Sequence, residues 1–277
     1  MLSRRMFLAG AGALTAPLSA ALPRPGCQAN AWNLDPARFD LLLAALRDMK
    51  TLDFAGFETN IRFLQPQLGR VADARAAIQQ TGLVFIGAHT GLPPADTAGK
   101  LAEQAGQFDA RSLIVSHSGL SPTGEFSEGA LDAKVKALDL AGARAADAGL
   151  VLAYHNHQPE FRNSAAEATG LVRRTDPKRV SFMLDIGHAW LAYSDVISFF
   201  EAHHRRVFGL HVRDFHDRRS VPLGQGEFPL KALAGVIRRT GWSGWLIDEE
   251  ERPEERDKPG TKATGPSRKA MREIFGV

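Results

Sequence analysis

Short apolar runs recur at regular intervals along this chain, and the segments between them have helical spacing. The runs are CQANAW (27–32), FAGFET (54–59), LVFIGAH (83–89), SLIVSH (112–117), LVLAYHNH (150–157), VSFMLDIGH (180–188), VFGLHVRD (207–214) and GWLIDEE (244–250). Segments such as PARFDLLLAALRDMK, QLGRVADARAAIQQTG and EGALDAKVKALDLAGARAADAG lie between them, and several end in glycine, as helices commonly do. Strands that are apolar throughout are buried on both faces, which implies parallel strands covered by helices. Eight such units close most economically into an eight-stranded (β/α)8 barrel. An open doubly wound sheet is the alternative, but no G-x-G-x-x-G loop follows the first run. After the eighth run, ERPEERDKPGTKATGPSRK reads as an exposed polar loop ahead of a short closing helix.

The barrel reading excludes the start of the chain. Residues 1–21, MLSRRMFLAGAGALTAPLSAA, carry an arginine pair, an apolar stretch and then small residues that a signal peptidase accepts. The stretch is too short and too interrupted by Pro and Gly to span a membrane. SRRMFL resembles a twin-arginine signal, which implies periplasmic export of a folded protein. Cys27 follows closely, but RPGC lacks the aliphatic residue of a lipoprotein signal, so no stable membrane anchor is expected. Residues 22–277 then form a single barrel domain, a usual size for that fold.

Formal charge is +3, near +1 once Arg4 and Arg5 leave with the signal. No Lys/Arg block stands out from solvated helix faces, so nucleic acid is a poor partner. One cysteine excludes an internal disulfide framework. Stability must come from a large apolar core, which a chain of this length can bury. Nothing in the sequence decides whether the domain forms a homo-oligomer.

Seven of the nine histidines fall at or just past the carboxyl end of an apolar run: His89, His117, His155, His157, His188, His211 and His216. His203 and His204 sit on a helix. The carboxyl end of the strands is where an α/β barrel builds its active site. Any one of these histidines is as readily structural as functional; seven at one rim are hard to attribute to chance. Residues two apart on a strand share a face, so His155 pairs with His157, and His211 with Arg213. Asp185 ends the FML run, and Glu249 has the parity of Trp245 and Ile247. Asp185, His211, Glu249 and one residue of the fifth run make a hard N/O set that suits Mn²⁺, Mg²⁺, Zn²⁺ or Co²⁺.

In that order and spacing, YHNHQPEF, MLDIGHA, GLHVRD, PLGQGEF and GWLIDEEE resemble the sugar phosphate isomerase/epimerase family of xylose isomerase-like TIM barrels. The likeness extends to FAGFE in the second run. It implies a TIM barrel with a divalent metal ion at its mouth, held by carboxylates and a histidine that fall here on Asp185, His211 and Glu249. The fifth run departs from the pattern, with His155 where many relatives have glutamate. Either His155 is the ligand, or Glu160 reaches back from the loop to restore a carboxylate. The reading leans slightly to Glu160, because a carboxylate serves as ligand and base together; the other residue would then support the ligand.

Such a site implies a small-molecule sugar substrate chelated through a carbonyl and an adjacent hydroxyl, and proton removal through a stabilised enediolate. Glu160 or Glu249 can take the proton. His188 and Arg213 can hold substrate oxygens and developing charge, and their bland readings are a rim-capping histidine and an arginine paired with Asp214. His157, Glu58 and Trp32 are candidates for the pocket wall, and PLGQGEF (222–228) for a mobile loop near the mouth. Three functions follow: an isomerase or epimerase of an unphosphorylated sugar or keto-sugar; a lyase, dehydratase or keto-glycoside-cleaving enzyme using the same enolate; and, less well supported, a sugar-binding barrel without turnover.

Overall fold

The eight apolar runs pair edge to edge, each parallel to its neighbour. The computed structural model describes residues 22–116, 120, 121, 123, 125–193, 195–252, 255 and 258–277. Its strands are β1 (Arg24–Gln28), β2 (Gly56–Asn60), β3 (Val84–Thr90), β4 (Ser112–Ser116), β5 (Val151–His155), β6 (Val180–Asp185) and β7 (Val207–Val212), then a small antiparallel hairpin of β8 (Asp214–His216) and β9 (Arg219–Val221), and finally β10 (Trp245–Asp248). They close in the order β1-β10-β7-β6-β5-β4-β3-β2. The leader segment and His117 lie outside the described residues. No described helix is long and apolar enough to cross a membrane.

The helices are α1 (Phe39–Thr51), α2 (Val71–Gln79), α3 (Ala98–Gln107), α4 (Glu128–Asp147), α5 (Arg162–Arg174), α6 (Ile186–Ala192), α7 (Val196–His203), α8 (Leu230–Thr240) and α9 (Gly260–Phe275). Gly82 and Gly149, which end two of the helical segments read from sequence, take positive φ (69° and 76°), the left-handed turn that stops a helix. Alternate strand residues face opposite ways. Outward residues such as Phe57, Phe85, Leu152 and Leu210 pack against the helices, while Ile86, Ile114, Ala153, Met183, Trp245 and Ile247 fill the barrel. That plug leaves no pore, and the layer above it is where the site sits.

Three sequence expectations need correcting. The first strand ends at Gln28, not Trp32, because the Gln28 side chain accepts the Asn30 N–H (2.9 Å) and caps a 3-10 turn over Ala29–Ala31. The stretch GTKATGPSRK is not an exposed loop; it belongs to α9 and buries Ala263, Thr264, Ser267 and Arg268. Poor helix formers are tolerated there because tertiary burial outweighs intrinsic propensity, even with Pro266 inside.

The third correction concerns PLGQGEF, which is clamped. Buried Asp214 accepts the backbone N–H groups of Phe215 (3.0 Å), Gly224 (3.0 Å), Gly226 (2.9 Å) and Phe228 (3.0 Å). Gly224 has φ +86°, and a Cβ at Gly226 would fall 2.2 Å from an Asp214 carboxylate oxygen. The loop therefore cannot lose either glycine cheaply. Asp214→Ala should leave four amides without this acceptor and cost on the order of 2–4 kcal/mol. The expected thermal melt falls by roughly 5–15 °C, with partial recovery in Asp214→Asn; an unchanged melting temperature would refute the clamp.

Candidate metal centre

The inward-facing parity that places Ala153, Met183 and Ile247 in the plug places His155, Asp185 and Glu249 one step higher, beside His211. Donor atoms of His155, Asp185, His211 and Glu249 all lie within 4.8 Å of one another, and all four residues are buried. His155 Nε2 is 2.9 Å from His211 Nδ1, which is 2.6 Å from Glu249 Oε2. His155 Nε2 stands 3.8 Å from Asp185 Oδ2 and 3.6 Å from Glu249 Oε2. A second shared carboxylate, Glu58, lies 2.8 Å from His211 Nε2 and 2.8 Å from His89 Nε2. His89 in turn contacts Ser116 Oγ at 3.1 Å.

Arg213 supplies the fixed positive charge. Its guanidinium reaches Glu249 (2.6 Å) and Glu251 (2.9 Å), and its Nε lies 2.9 Å from Asp185 Oδ2. That last contact is close but not aligned as a hydrogen bond, so Asp185 Oδ2 remains a buried carboxylate oxygen with no hydrogen-bond donor. Its partner Oδ1 caps α6 by accepting the His188 N–H at 2.7 Å. Asn156 clasps the Asp185 peptide from both sides, accepting its N–H and donating to its carbonyl, each at 3.0 Å. The aspartate is thus aimed by backbone, cap and clasp together.

The electrostatics suit a cation. Burial pushes His155 down to about 4, assisted by the nearby His211, so it is a neutral imidazole at neutral pH. Burial alone would also lower His211, but Glu249 and Glu58 outweigh it and hold the imidazole well above its ordinary value. Burial would raise Glu249, Asp185 and Glu58; Arg213 and then His211 hold Glu249 well below the usual range, Arg213 and His188 lower Asp185, and His211 and His89 lower Glu58. Two imidazoles and two ionised carboxylates, with an orphaned oxygen on Asp185, fit a divalent ion of the hard to borderline kind. Glu58 at His211 Nε2 would keep a proton on that nitrogen once a cation takes the place of the one on Nδ1.

Because His211 carries a proton that a cation must displace, metal affinity should rise with pH through the neutral range. Titration at about pH 6 and about pH 8 should show tighter binding at the higher value and release of about one proton. His155, already neutral, adds nothing to that slope. Affinity independent of pH would contradict the assignment of His211 as a ligand.

Above the cluster opens a cavity of about 490 Å³ whose wall includes Trp32, His89, His157, His188, Arg213 and Glu249. His157 and His188 face each other with ring centroids 5.6 Å apart, and His157 lies 5.0 Å from His155. Trp32 is held by its indole N–H on Asp48 (3.0 Å). Arg213 does not pair with Asp214, its bland reading from sequence, since Asp214 is engaged by the loop. Glu58 sits below the cavity wall, against two histidines. PLGQGEF contributes nothing to the wall.

Glu160 is not brought to the cluster. It lies at the foot of the β5 loop on the helix side, where it accepts the Tyr154 hydroxyl (2.6 Å) and the His157 N–H (3.2 Å), 3.9 Å from Lys134. Tyr154 faces outward by strand parity, and Glu160 follows it; burial holds the carboxyl above its ordinary range against the pull of Tyr154 and Lys134. His155 occupies the strand-five position among the four donors. The residues that sequence reasoning did not single out are Asn156, Ser116 and Glu251, together with His89, noted only as one of the rim histidines. Parity and strand-end position were the signals available for His89 and Ser116.

The closed parallel barrel thus carries, at the carboxyl ends of its strands, a buried N/O donor cluster of a kind that fits a divalent metal ion. Residues 46–274 match the family model described as xylose isomerase-like TIM barrel, and the chain belongs to that family. Among curated relatives, an inosose dehydratase of Lacticaseibacillus casei is 25% identical over 181 residues, covering 54% of this chain and 60% of the relative. The chain therefore spans less than two thirds of that relative's length. Among solved structures, the apo 3-keto-D-glucoside 4-epimerase YcjR of E. coli superposes with TM-score 0.70 at 18% identity, over 92% of this chain and 100% of that one. The IolI protein with a bound zinc atom does so with TM-score 0.75 at 15% identity, over 91% and 98%. At such identities the two structures share the fold with this chain.

Proposed function

We propose that the protein is a divalent-metal-dependent isomerase or epimerase of an unphosphorylated sugar or keto-sugar, acting by removal of a proton beside a carbonyl. The observation that carries this reading is the convergence of His155, Asp185, His211 and Glu249 beneath a polar cavity of about 490 Å³. His155, Asp185, His211 and Glu249 would hold a divalent cation, which would supply Lewis-acid stabilisation of charge developing on the substrate. The chain does the rest. Arg213, tied to three carboxylates and lining the cavity, sets a fixed positive charge beside the position where an oxyanion would develop. Glu249 is a poor proton acceptor while Arg213 and His211 hold it ionised. Glu160 does not line the cavity. We assign the proton transfer to His157 and His188, two half-buried imidazoles of the cavity wall with ring centroids 5.6 Å apart.

A second reading keeps the enolate and ends in elimination, as a dehydratase or glycoside-cleaving lyase. The curated relatives named inosose dehydratase favour it. Metal-loaded protein incubated in D₂O with sugars and 3-keto-sugars separates the two. Deuterium uptake without a new product class marks an isomerase or epimerase; an enone or a released leaving group marks a lyase. No exchange with any sugar of the panel rejects both.

We also propose export to the periplasm, on the strength of Arg4 and Arg5 ahead of an apolar stretch. Replacing both with lysine should leave the protein in the cytoplasm of its host. Unchanged periplasmic yield would show that the arginine pair is not read.

A further inference from the structure

Beyond Trp32 lies a second hollow of about 400 Å³, bounded by Asn30, Trp32 and Asn33 on one side and Glu250, Glu251 and Arg252 on the other. Asn30, Trp32, Asn33 and Glu251 also line the cavity over the metal centre, so the two hollows adjoin at these residues. Trp32 is a rigid divider. Its indole N–H is fixed on Asp48, and a Cβ at Gly260 would fall 2.3 Å from the ring, so the start of α9 backs it closely. Trp32 is half-buried and lines both hollows. Glu251 links them as well, accepting from Asn30 Nδ2 (3.1 Å) and from Arg213 Nη1 (2.9 Å).

Among the described lining residues of the outer hollow, Glu250, Glu251 and Glu255 outnumber Arg252, and Arg252 is spent on Glu250 (2.7 Å) and Glu255 (3.3 Å). Among the described residues the wall offers carboxylate and amide partners for hydroxyl groups, a flat aromatic surface, and no uncommitted cation for a phosphate or carboxylate. We propose that this hollow is a second sugar subsite. The substrate is then a neutral two-unit glycoside, its reacting unit over the four-ligand cluster and its second pyranose packed on Trp32. This rests on the sugar reading of the metal centre and narrows it to glycosides.

The test is calorimetric titration of the metal-loaded protein with carbohydrates that carry no ketone and do not react: methyl glucoside, methyl cellobioside, methyl maltoside and trehalose, with 4-nitrophenyl glucoside alongside. At least one two-sugar probe should bind about tenfold more tightly than methyl glucoside. That ratio should collapse in Trp32→Ala and return in Trp32→Phe, whose thermal melt reports on folding. Two-sugar probes that all bind within about twofold of methyl glucoside, or not at all, overturn the subsite. Preference for 4-nitrophenyl glucoside alone overturns it in favour of an aromatic leaving unit. Deuterium exchange on 3-keto-glucose, measured separately, tells whether the sugar reading itself has failed: exchange with no two-sugar preference sinks only the subsite.

Discussion

Asp185→Ala and His211→Ala should each leave a folded barrel that no longer retains a divalent cation. Wild-type protein is expected to hold about one ion per chain, and either variant close to none, because a four-donor site with one ligand gone loses most of its affinity. Deuterium exchange should disappear with the ion. The stability consequences differ and can be measured beside the metal. Asp185→Ala also deletes the cap of α6, worth about 1 kcal/mol, while Arg213 keeps Glu249 and Glu251. His211→Ala removes the imidazole standing between Glu58 and Glu249 and leaves two buried carboxylates without it. It should therefore be the less stable of the two. Metal analysis showing full occupancy in both variants would end the assignment.

The stretch HNHQPE provides the second large effect. His155→Ala removes the strand-five donor and should weaken metal binding by more than the roughly 10- to 100-fold typical of an outer-shell loss. Glu160→Ala acts elsewhere. It withdraws the acceptor of the Tyr154 hydroxyl and of the His157 N–H, in a buried setting close to Lys134. The expected cost is about 2–4 kcal/mol of stability, with the ion retained. Measuring cation affinity and thermal unfolding on both variants separates the roles. If Glu160→Ala loses the ion while His155→Ala keeps it, the ligand assignment is reversed.

Much of the fold is legible in the sequence because each strand of a parallel barrel is buried on both sides and must be apolar throughout. All eight runs become strands, and their ends shift by only a few residues except at the first. CQANAW misled because its apolar character continues past Gln28, where a side-chain cap turns the chain. PLGQGEF misled for a different reason: its glycines signal backbone freedom, yet here they permit a tight wrap around Asp214, a residue eight positions ahead of the stretch. GTKATGPSRK has the composition of a loop and is helical because its small residues bury against the barrel.

Parity did most at the site. Once the strands were placed, Asp185, His211 and Glu249 had to point inward at the same rim, since side chains alternate with period two. That much was decided by the sequence itself. His155, the last residue of β5, still follows that period, and Glu249 keeps it one residue past β10; Glu160 lies five residues past β5, where the period no longer holds, so parity could not place it. Only the tertiary structure turns Glu160 outward onto Tyr154 and Lys134, with α4 packed against β5, and leaves His155 facing the cluster. The same applies to Glu58, whose sharing between His211 and His89 joins residues 153 and 31 positions apart. Contacts of such separation depend on how the barrel closes, and no local pattern in the chain encodes them.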